Sequence, residues 1–228
     1  MCGLAAIYRD LSHQATSYIG MNDSNNHHAA PADIDGRADE TSTLPGTIRK
    51  LWVGESALLR EHLLRLDPES RRSRFGSPVN RFFIEQYASR AVSSESVVHG
   101  FFVDGTLRGA AELRGYGKPF PSEAEAALSI EREWQDHGVG SELLDRTILA
   151  ARNRGIHTIY MNCLAENRRM QAIAKKHEAS LRFRADDVVG EVVNPRATPA
   201  TVLREMIADR YGMATAILDL QLRIFRAA

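Results

Sequence analysis

Ala127-Leu-Ser-Ile-Glu-Arg-Glu-Trp-Gln-Asp-His-Gly-Val-Gly-Ser141 reads as an apolar strand, then a turn carrying Gln135-x-x-Gly138-x-Gly140, then a helix that opens at Ser141-Glu-Leu-Leu. Glycines between a strand and a helix let backbone N–H groups turn toward an anion. The helix N-terminus adds about half a positive charge at the same place. Such a turn holds a phosphate or pyrophosphate, so the segment points to a nucleotide-containing cofactor. A dinucleotide fingerprint wants Gly-x-Gly-x-x-Gly near the start of a domain, with an acidic residue about 20 positions on. Here two glycines stand in another order, past the middle of a 228-residue chain. The Gly-Lys-Ser/Thr of a P-loop is absent from the segment. A glycine turn before a helix also arises for structural reasons alone, so the flanks decide.

Downstream, Leu143, Leu144, Ile148, Leu149 and Ala151 recur at helical spacing. They predict a helix over 139–154 that stops at Gly155. A strand over 157–163 follows, then a helix opened by Ala165-Glu-Asn-Arg-Arg-Met170 and running to about His177. Asn167 stands where Asn is a favoured N-cap. Upstream, Ser96–Val103 and 106–116 read as strands joined at Asp104-Gly105, a strong hairpin signal. Helices are expected over 55–66 and 79–91, and a first strand over 47–53. Residues 66–75 are read as a basic loop between the first two helices. The order is β-α-α-β-β-β-α-β-α-β-β.

The Gln-x-x-Gly-x-Gly turn, placed in this order of elements, resembles the acyl-CoA pyrophosphate loop of the GNAT superfamily of N-acetyltransferases. The resemblance covers residues 47–194. Asn167-x-x-Met170 and the Ala-Lys-Lys run at 174–176 are similar to the acetyltransferase domains of bacterial protein-lysine acetyltransferases. It implies an α/β (α+β) fold, with a mixed, mostly antiparallel sheet flanked by helices and splayed central strands. It implies acetyl-CoA as co-substrate, no metal, and direct transfer of the acetyl group to a primary amine in a ternary complex. The acceptor is a protein lysine or a small-molecule amine. In such enzymes the strand before the loop bulges and its backbone pairs with the pantetheine arm, which points to Leu128, Ser129 and Ile130. Gln135, Asp136, His137, Gly138, Val139, Gly140 and Ser141 are then the pyrophosphate loop. Asn167 contacts the cofactor as well as capping its helix.

Acyl transfer to an amine needs a base, a donor to the thioester oxygen, and a route for the thiolate. Glu125, ten residues before Gln135 on the same strand, is the candidate base that the resemblance singles out. A charge on a strand end explains it equally well. Glu112 on the preceding strand is the second candidate. Period-2 alternation puts Glu123 on the same face as Glu125. The resemblance also has departures. A Tyr acid is common seven residues after the Asn, where this chain has Ala174, and His177-Glu-Ala-Ser-Leu stands where Leu-Gly-Phe is usual. No acid is then assigned, a thiolate being a fair leaving group near neutral pH. Arg71, Arg72 and Arg74 either grip an acidic group or are solvated. A CoA-binding regulatory module without turnover is the competing reading.

Composition fits a soluble globular domain: 43% hydrophobic residues, with 29 basic against 29 acidic side chains. The zero net charge gives no electrostatic reason for nonspecific nucleic-acid binding. No apolar run is long enough to span a bilayer, and the start lacks the pattern of a signal peptide. Two cysteines, Cys2 and Cys163, without metal spacing fit a cytoplasmic protein. Residues 1–45, with Asn22-Asp-Ser-Asn-Asn-His-His28, are expected to be a disordered extension, 46–195 the catalytic domain, and 196–228 a helical extension. Met1-Cys-Gly-Leu-Ala-Ala-Ile resembles the start of amidotransferases with an N-terminal cysteine nucleophile. The likeness spans seven residues and lacks the β-rich domain those enzymes need. From 199 onward a long amphipathic pattern, with a break expected near Gly212, reads as a helix packed on the core or as a dimerisation helix.

Overall fold

The computed structural model describes residues 44–115 and 122–227, with positions 219–220 and 222–227 described as backbone only. Residues 1–43 of the expected N-terminal extension, with Cys2, His27 and His28, lie outside the described residues, as do residues 116–121. Strand β1 (Thr47–Lys50) is followed by helices α1 (Ser56–Arg65), α2 (Pro68–Phe75) and α3 (Arg81–Ala91). Strands β2 (Ser96–Val103), β3 (Thr106–Gly115) and β4 (Glu123–Ile130) come next. A short 3-10 turn at Arg132–Trp134 leads to α4 (Val139–Asn153), β5 (Thr158–Leu164) and α5 (Arg168–Lys176). Strands β6 (Ser180–Phe183) and β7 (Asp187–Val193) and helix α6 (Pro199–Ala227) complete the chain.

The seven strands form one sheet in the order β1-β2-β3-β4-β5-β7-β6. Each neighbouring pair is antiparallel except β4 with β5. The expected mixed, mostly antiparallel sheet is thus the observed one. The β2–β3 hairpin turns at Asp104 and Gly105, with φ of 48° and 69°. Positive φ at both central residues is the twist that joins such strands, and Gly carries it without strain.

Helices cover both faces. Leu59 and Leu63 of α1 pack with Ile84 of α3 and with Val98, Phe102 and Ala110 of the sheet. A ten-residue helix is marginal on its own. Full burial of Leu59 and Leu63 contributes about 1.5–3 kcal/mol for each and holds α1 in place. On the opposite face Leu143 of α4 packs on Phe101 and Ala111, while Met170 and Ala174 of α5 pack on Met161, Val188 and Val192.

Three expectations need correction. Residues 68–75 form a helix, not a loop: Asp67 caps it by accepting from the N–H groups of Glu69 and Ser70 at 3.1 Å. Pro68 takes the first turn and Gly76 closes it at φ 71°. The first strand ends at Lys50, three residues early. Gly212 does not break the last helix, which runs unbroken over Pro199–Ala227. A Cβ at Gly212 would stand 2.8 Å from Cβ of Arg49, so glycine lets α6 lie close on β1.

Candidate active site

Strands β4 and β5 pair at only three positions, Glu123 with Thr158, Ala124 with Ile159 and Glu125 with Tyr160. On its other side β4 stays paired with β3 as far as Ile130 opposite Gly109. Strand β5 stays paired with β7 along its whole length. Beyond Glu125 the two central strands therefore part, and among the described residues no strand lies beside the β5-facing edge of Ala126–Ile130. Backbone N–H and C=O groups seldom go unpaired in a protein interior. An exposed strand edge of this kind accepts an extended, hydrogen-bonding arm. Leu128, Ser129 and Ile130 lie on it.

The turn after β4 closes the wide end of this cleft. Gly138 is the N-cap of α4 at φ 81°, and it is exposed. A Cβ there would meet nothing within 4 Å, so the positive φ and open space explain the glycine. Gly140 has another task. A Cβ there would stand 2.7 Å from Cδ1 of Ile173 and 3.1 Å from Cδ1 of Ile130, so its absence lets α4 seat between β4 and α5. The first-turn N–H groups of α4, at Val139, Gly140 and Ser141, have no preceding turn to bond, and they face the anion-binding end of the helix dipole.

The side chains of the turn mostly bond within the protein. Gln135 Nε2 donates to Ser70 Oγ at 3.0 Å and to the carbonyl of Ile130 at 2.9 Å, tying the turn to α2 and to the end of β4. Asp136, at φ 63°, pairs with Arg169 of α5 at 3.0 Å. His137 Nδ1 lies 2.6 Å from the carbonyl of Gln135. Ser141 Oγ is 3.1 Å from Nε2 of His177, whose Nδ1 faces Asp145 at 3.3 Å. Any anion held here is therefore met by backbone. Asn167 caps α5 by accepting from the N–H of Met170 at 3.0 Å. Trp134 packs edge-on to Phe101 at 5.7 Å.

Glu125 sits at the point where the strands part. Asn162 Nδ2 donates to its Oε1 at 3.2 Å, and Arg114 and Tyr160 are its cross-strand neighbours. Glu112 is differently placed. It is buried, accepting from Arg74 at 2.7 Å, Tyr87 at 2.8 Å and Arg114 at 3.2 Å. Burial pushes its carboxyl up, but the guanidiniums of Arg74 and Arg114 outweigh burial and hold it below the usual carboxylate range. A carboxylate so engaged is a poor proton acceptor and a good anchor for two arginines. Tyr87, in the same cluster, is pushed up mainly by burial.

The arginines of α2 each have protein partners. Arg71 donates to the carbonyls of Leu64 and Leu66, and Arg72 pairs with Glu166 at 2.6 Å across the cleft mouth. The Arg72 side chain stays 51% exposed, so its pair with Glu166 is a solvated one. Tyr160 and Cys163 on β5 offer no ready acid or nucleophile. Burial raises both, Cys163 to about 11.

One buried network has no local sequence signal. His62 of α1 reaches Ser129 Oγ with Nε2 at 3.0 Å and Glu131 Oε1 with Nδ1 at 3.1 Å. Glu131 is also held by Arg65 at 2.9 Å and Arg108 at 2.8 Å. Burial lowers His62, with Glu131 opposing, so the ring is neutral. Burial raises Glu131, but His62 and Arg108 bring it below its ordinary value. The Ser–His–Glu order has the form of a nucleophile relay, but His62 is fully buried and the carboxylate is shared with two arginines. Its effect is to bolt α1 to the end of β4, beneath the cleft.

A model of the acetyltransferase (GNAT) family matches residues 59–178, which spans the cleft, the glycine turn and both flanking helices. The chain belongs to the GNAT acetyltransferase family. It is an acyltransferase, and acetyl-CoA is the acetyl donor of the family. Among the described residues no group of His, Cys, Asp and Glu is placed to hold a metal ion, and no helix is long and apolar enough to cross a membrane. Solved structures share the fold. The GNAT domain of S. lividans PAT is 21% identical, covering 65% of this chain and 90% of that one, with a TM-score of 0.57. The yncA structure from Salmonella typhimurium, which holds its cofactor acetyl-CoA, is 17% identical, covering 68% and 97%, with a TM-score of 0.54. The ribosomal-protein-S18-alanine N-acetyltransferase from Escherichia coli is 15% identical, covering 68% and 97%, with a TM-score of 0.53.

Proposed function

We propose that this GNAT domain moves an acetyl group from acetyl-CoA directly to a primary amine while both substrates are bound. The observation that carries the reading is the parting of β4 from β5 directly after Glu125. In this reading the pantetheine arm lies along Leu128, Ser129 and Ile130. The pyrophosphate meets the backbone of residues 135–141, chiefly Gly138 and the first turn of α4. Asn167, already capping α5, borders the arm from the other side.

Glu125 takes the proton of the incoming amine, directly or through a water. The amine nitrogen then forms its bond to the acetyl carbon and the carbon–sulfur bond breaks. A β4 backbone N–H stabilises the oxygen as charge develops. The departing thiolate needs no assigned acid, because its own basicity is modest. Asn162, bonded to Glu125, keeps the carboxylate aimed.

For the acceptor, the likeness of Asn167-x-x-Met170 to bacterial protein-lysine acetyltransferases favours a protein lysine over a small amine. The S. lividans PAT fold match supports the same side through its printed name alone. Acceptor choice is carried by loops rather than by the fold. We place the protein in the cytoplasm, where acetyl-CoA and protein lysines meet.

The test is Glu125→Gln. Transfer to an amine should slow by about 10²–10⁴-fold, while acetyl-CoA affinity measured by calorimetry stays within a few-fold. Unchanged turnover would remove Glu125 as base. A purified wild-type chain that binds acetyl-CoA and acetylates no protein or small amine would favour the regulatory, non-catalytic module instead.

A further inference from the structure

Helix α6 is inserted with its polarity reversed. The side turned to the domain is small or charged: Glu205, Ala208, Asp209, Gly212 and Ala216, at helical spacing, are the more buried positions. Glu205 bonds Lys50 at 2.6 Å, Arg154 at 2.8 Å and Asn153 at 2.7 Å, and Asp209 bonds Lys50 at 2.6 Å. The outward side is mostly apolar, with Arg204 and Arg210 among it. Leu203, Met206, Ile207, Met213, Ile217 and Leu218 are each 47–60% exposed. An amphipathic helix on a lone domain normally buries its apolar stripe and wets its polar face.

The helix cannot roll to correct this. The contacts of Glu205 and Asp209 fix its rotation, and Gly212 fixes its distance, since any side chain there would strike Arg49. The six outward side chains expose on the order of 700 Å², more than the about 300–600 Å² of the largest patch on a typical monomer. That approaches the about 800 Å² per partner of a standard-size stable interface. Leu203, Met206, Arg210, Met213 and Ile217 follow alternating three- and four-residue steps, the spacing with which one helix meets another. A two-fold axis lets one such stripe serve both partners. A lipid surface fits less well, because helices lying on membranes carry a free basic face. Here the inward polar face is acidic and engaged in ion pairs, and Arg204 and Arg210 are the only exposed basic residues among the described side chains of α6.

We propose that two copies of this chain pair through the outward stripe of α6, helix against helix about a two-fold axis. Packing on the core and pairing between copies are then two faces of one helix.

Sedimentation equilibrium on the full chain, over about 1–100 µM, tests this. The wild type should sediment as a dimer. The double variant Ile207→Glu/Ile217→Glu should sediment as a monomer, with far-UV circular dichroism and acetyl-CoA affinity unchanged because both positions are exposed and far in sequence from the cleft residues. A wild type that stays monomeric across the range overturns the proposal, whether the stripe is then found covered by residues 1–43 or bound to lipid vesicles. A double variant that remains dimeric overturns it as well. Neither result bears on whether the cleft acetylates amines, which the Glu125 variant reads separately.

Discussion

Asn162 reaches across from β5 to Glu125 on β4, its Nδ2 3.2 Å from Oε1, two residues beyond Tyr160, the last β5 residue paired with β4. The pair therefore spans the apex of the cleft. A hydrogen bond to one oxygen fixes which way a carboxylate points. Replacing Asn162 with Ala should lower kcat/KM by up to about 10²-fold through misplacement of Glu125, with little change in acetyl-CoA affinity measured by calorimetry. An unchanged kcat/KM would mean that Asn162 does not position Glu125.

Gly138 combines a left-handed φ of 81° with open space in front of it. Gly138→Ala should cost about 1 kcal/mol of backbone strain and weaken acetyl-CoA modestly. Gly138→Asp adds a carboxylate where the proposed pyrophosphate would lie, and should weaken binding by about 10²-fold or more, near 3 kcal/mol. Calorimetry with acetyl-CoA reads both variants. Retained affinity in Gly138→Asp would exclude the turn as the pyrophosphate site.

Glu112 stabilises two guanidiniums that burial would otherwise isolate. Removing one member of a buried ion cluster typically costs about 3–5 kcal/mol. Glu112→Ala should therefore lower the urea midpoint sharply. The conservative Glu112→Gln should recover part of the loss while keeping near-normal turnover, which a catalytic base would not.

His99 is buried and neutral, with burial first and Lys50 next bringing it down to about 3. The unfolded chain takes up this proton below about pH 6.5, and the folded chain does not until about 3. The unfolded state then binds more protons, so stability should fall as pH drops through that window, by up to about 1.4 kcal/mol per pH unit for one such group. His62 is lowered too and adds in the same direction. Urea unfolding between pH 7 and 4 should show the decline, and His99→Gln should flatten it. A stability that rises on acidification would contradict the assignment.

Much of this architecture was legible because it is written locally. Asp104-Gly105 demands a tight hairpin, and the leucines of 139–154 repeat at 3.6 residues. The Gln135-to-Gly140 turn sits between them and its neighbours in a fixed order. The Asp67-Pro68-Glu69 start and Gly76 stop of α2 were equally local signals, but the density of arginine hid them. Long-range pairings were not legible. Nothing near His62 announces Ser129 or Glu131, 67 and 69 residues away. Nothing near Glu112 announces Arg74. The glycines illustrate the same divide: their presence was visible, but only packing shows that Gly138 serves conformation, Gly140 the approach of α5 and Gly212 the approach of β1.

Three shared rungs are a narrow seam for a seven-stranded sheet. Mechanically the protein is two plates, β1–β4 on one side and β5–β7 on the other, riveted at one end and wedged by α4 along the other. Slow opening should concentrate at that rivet, so amide exchange at Thr158 to Tyr160 reports on the whole molecule. A ligand lying in the open end, as proposed, would act as a second fastener, and the protein's rigidity would then depend on the substrate it holds.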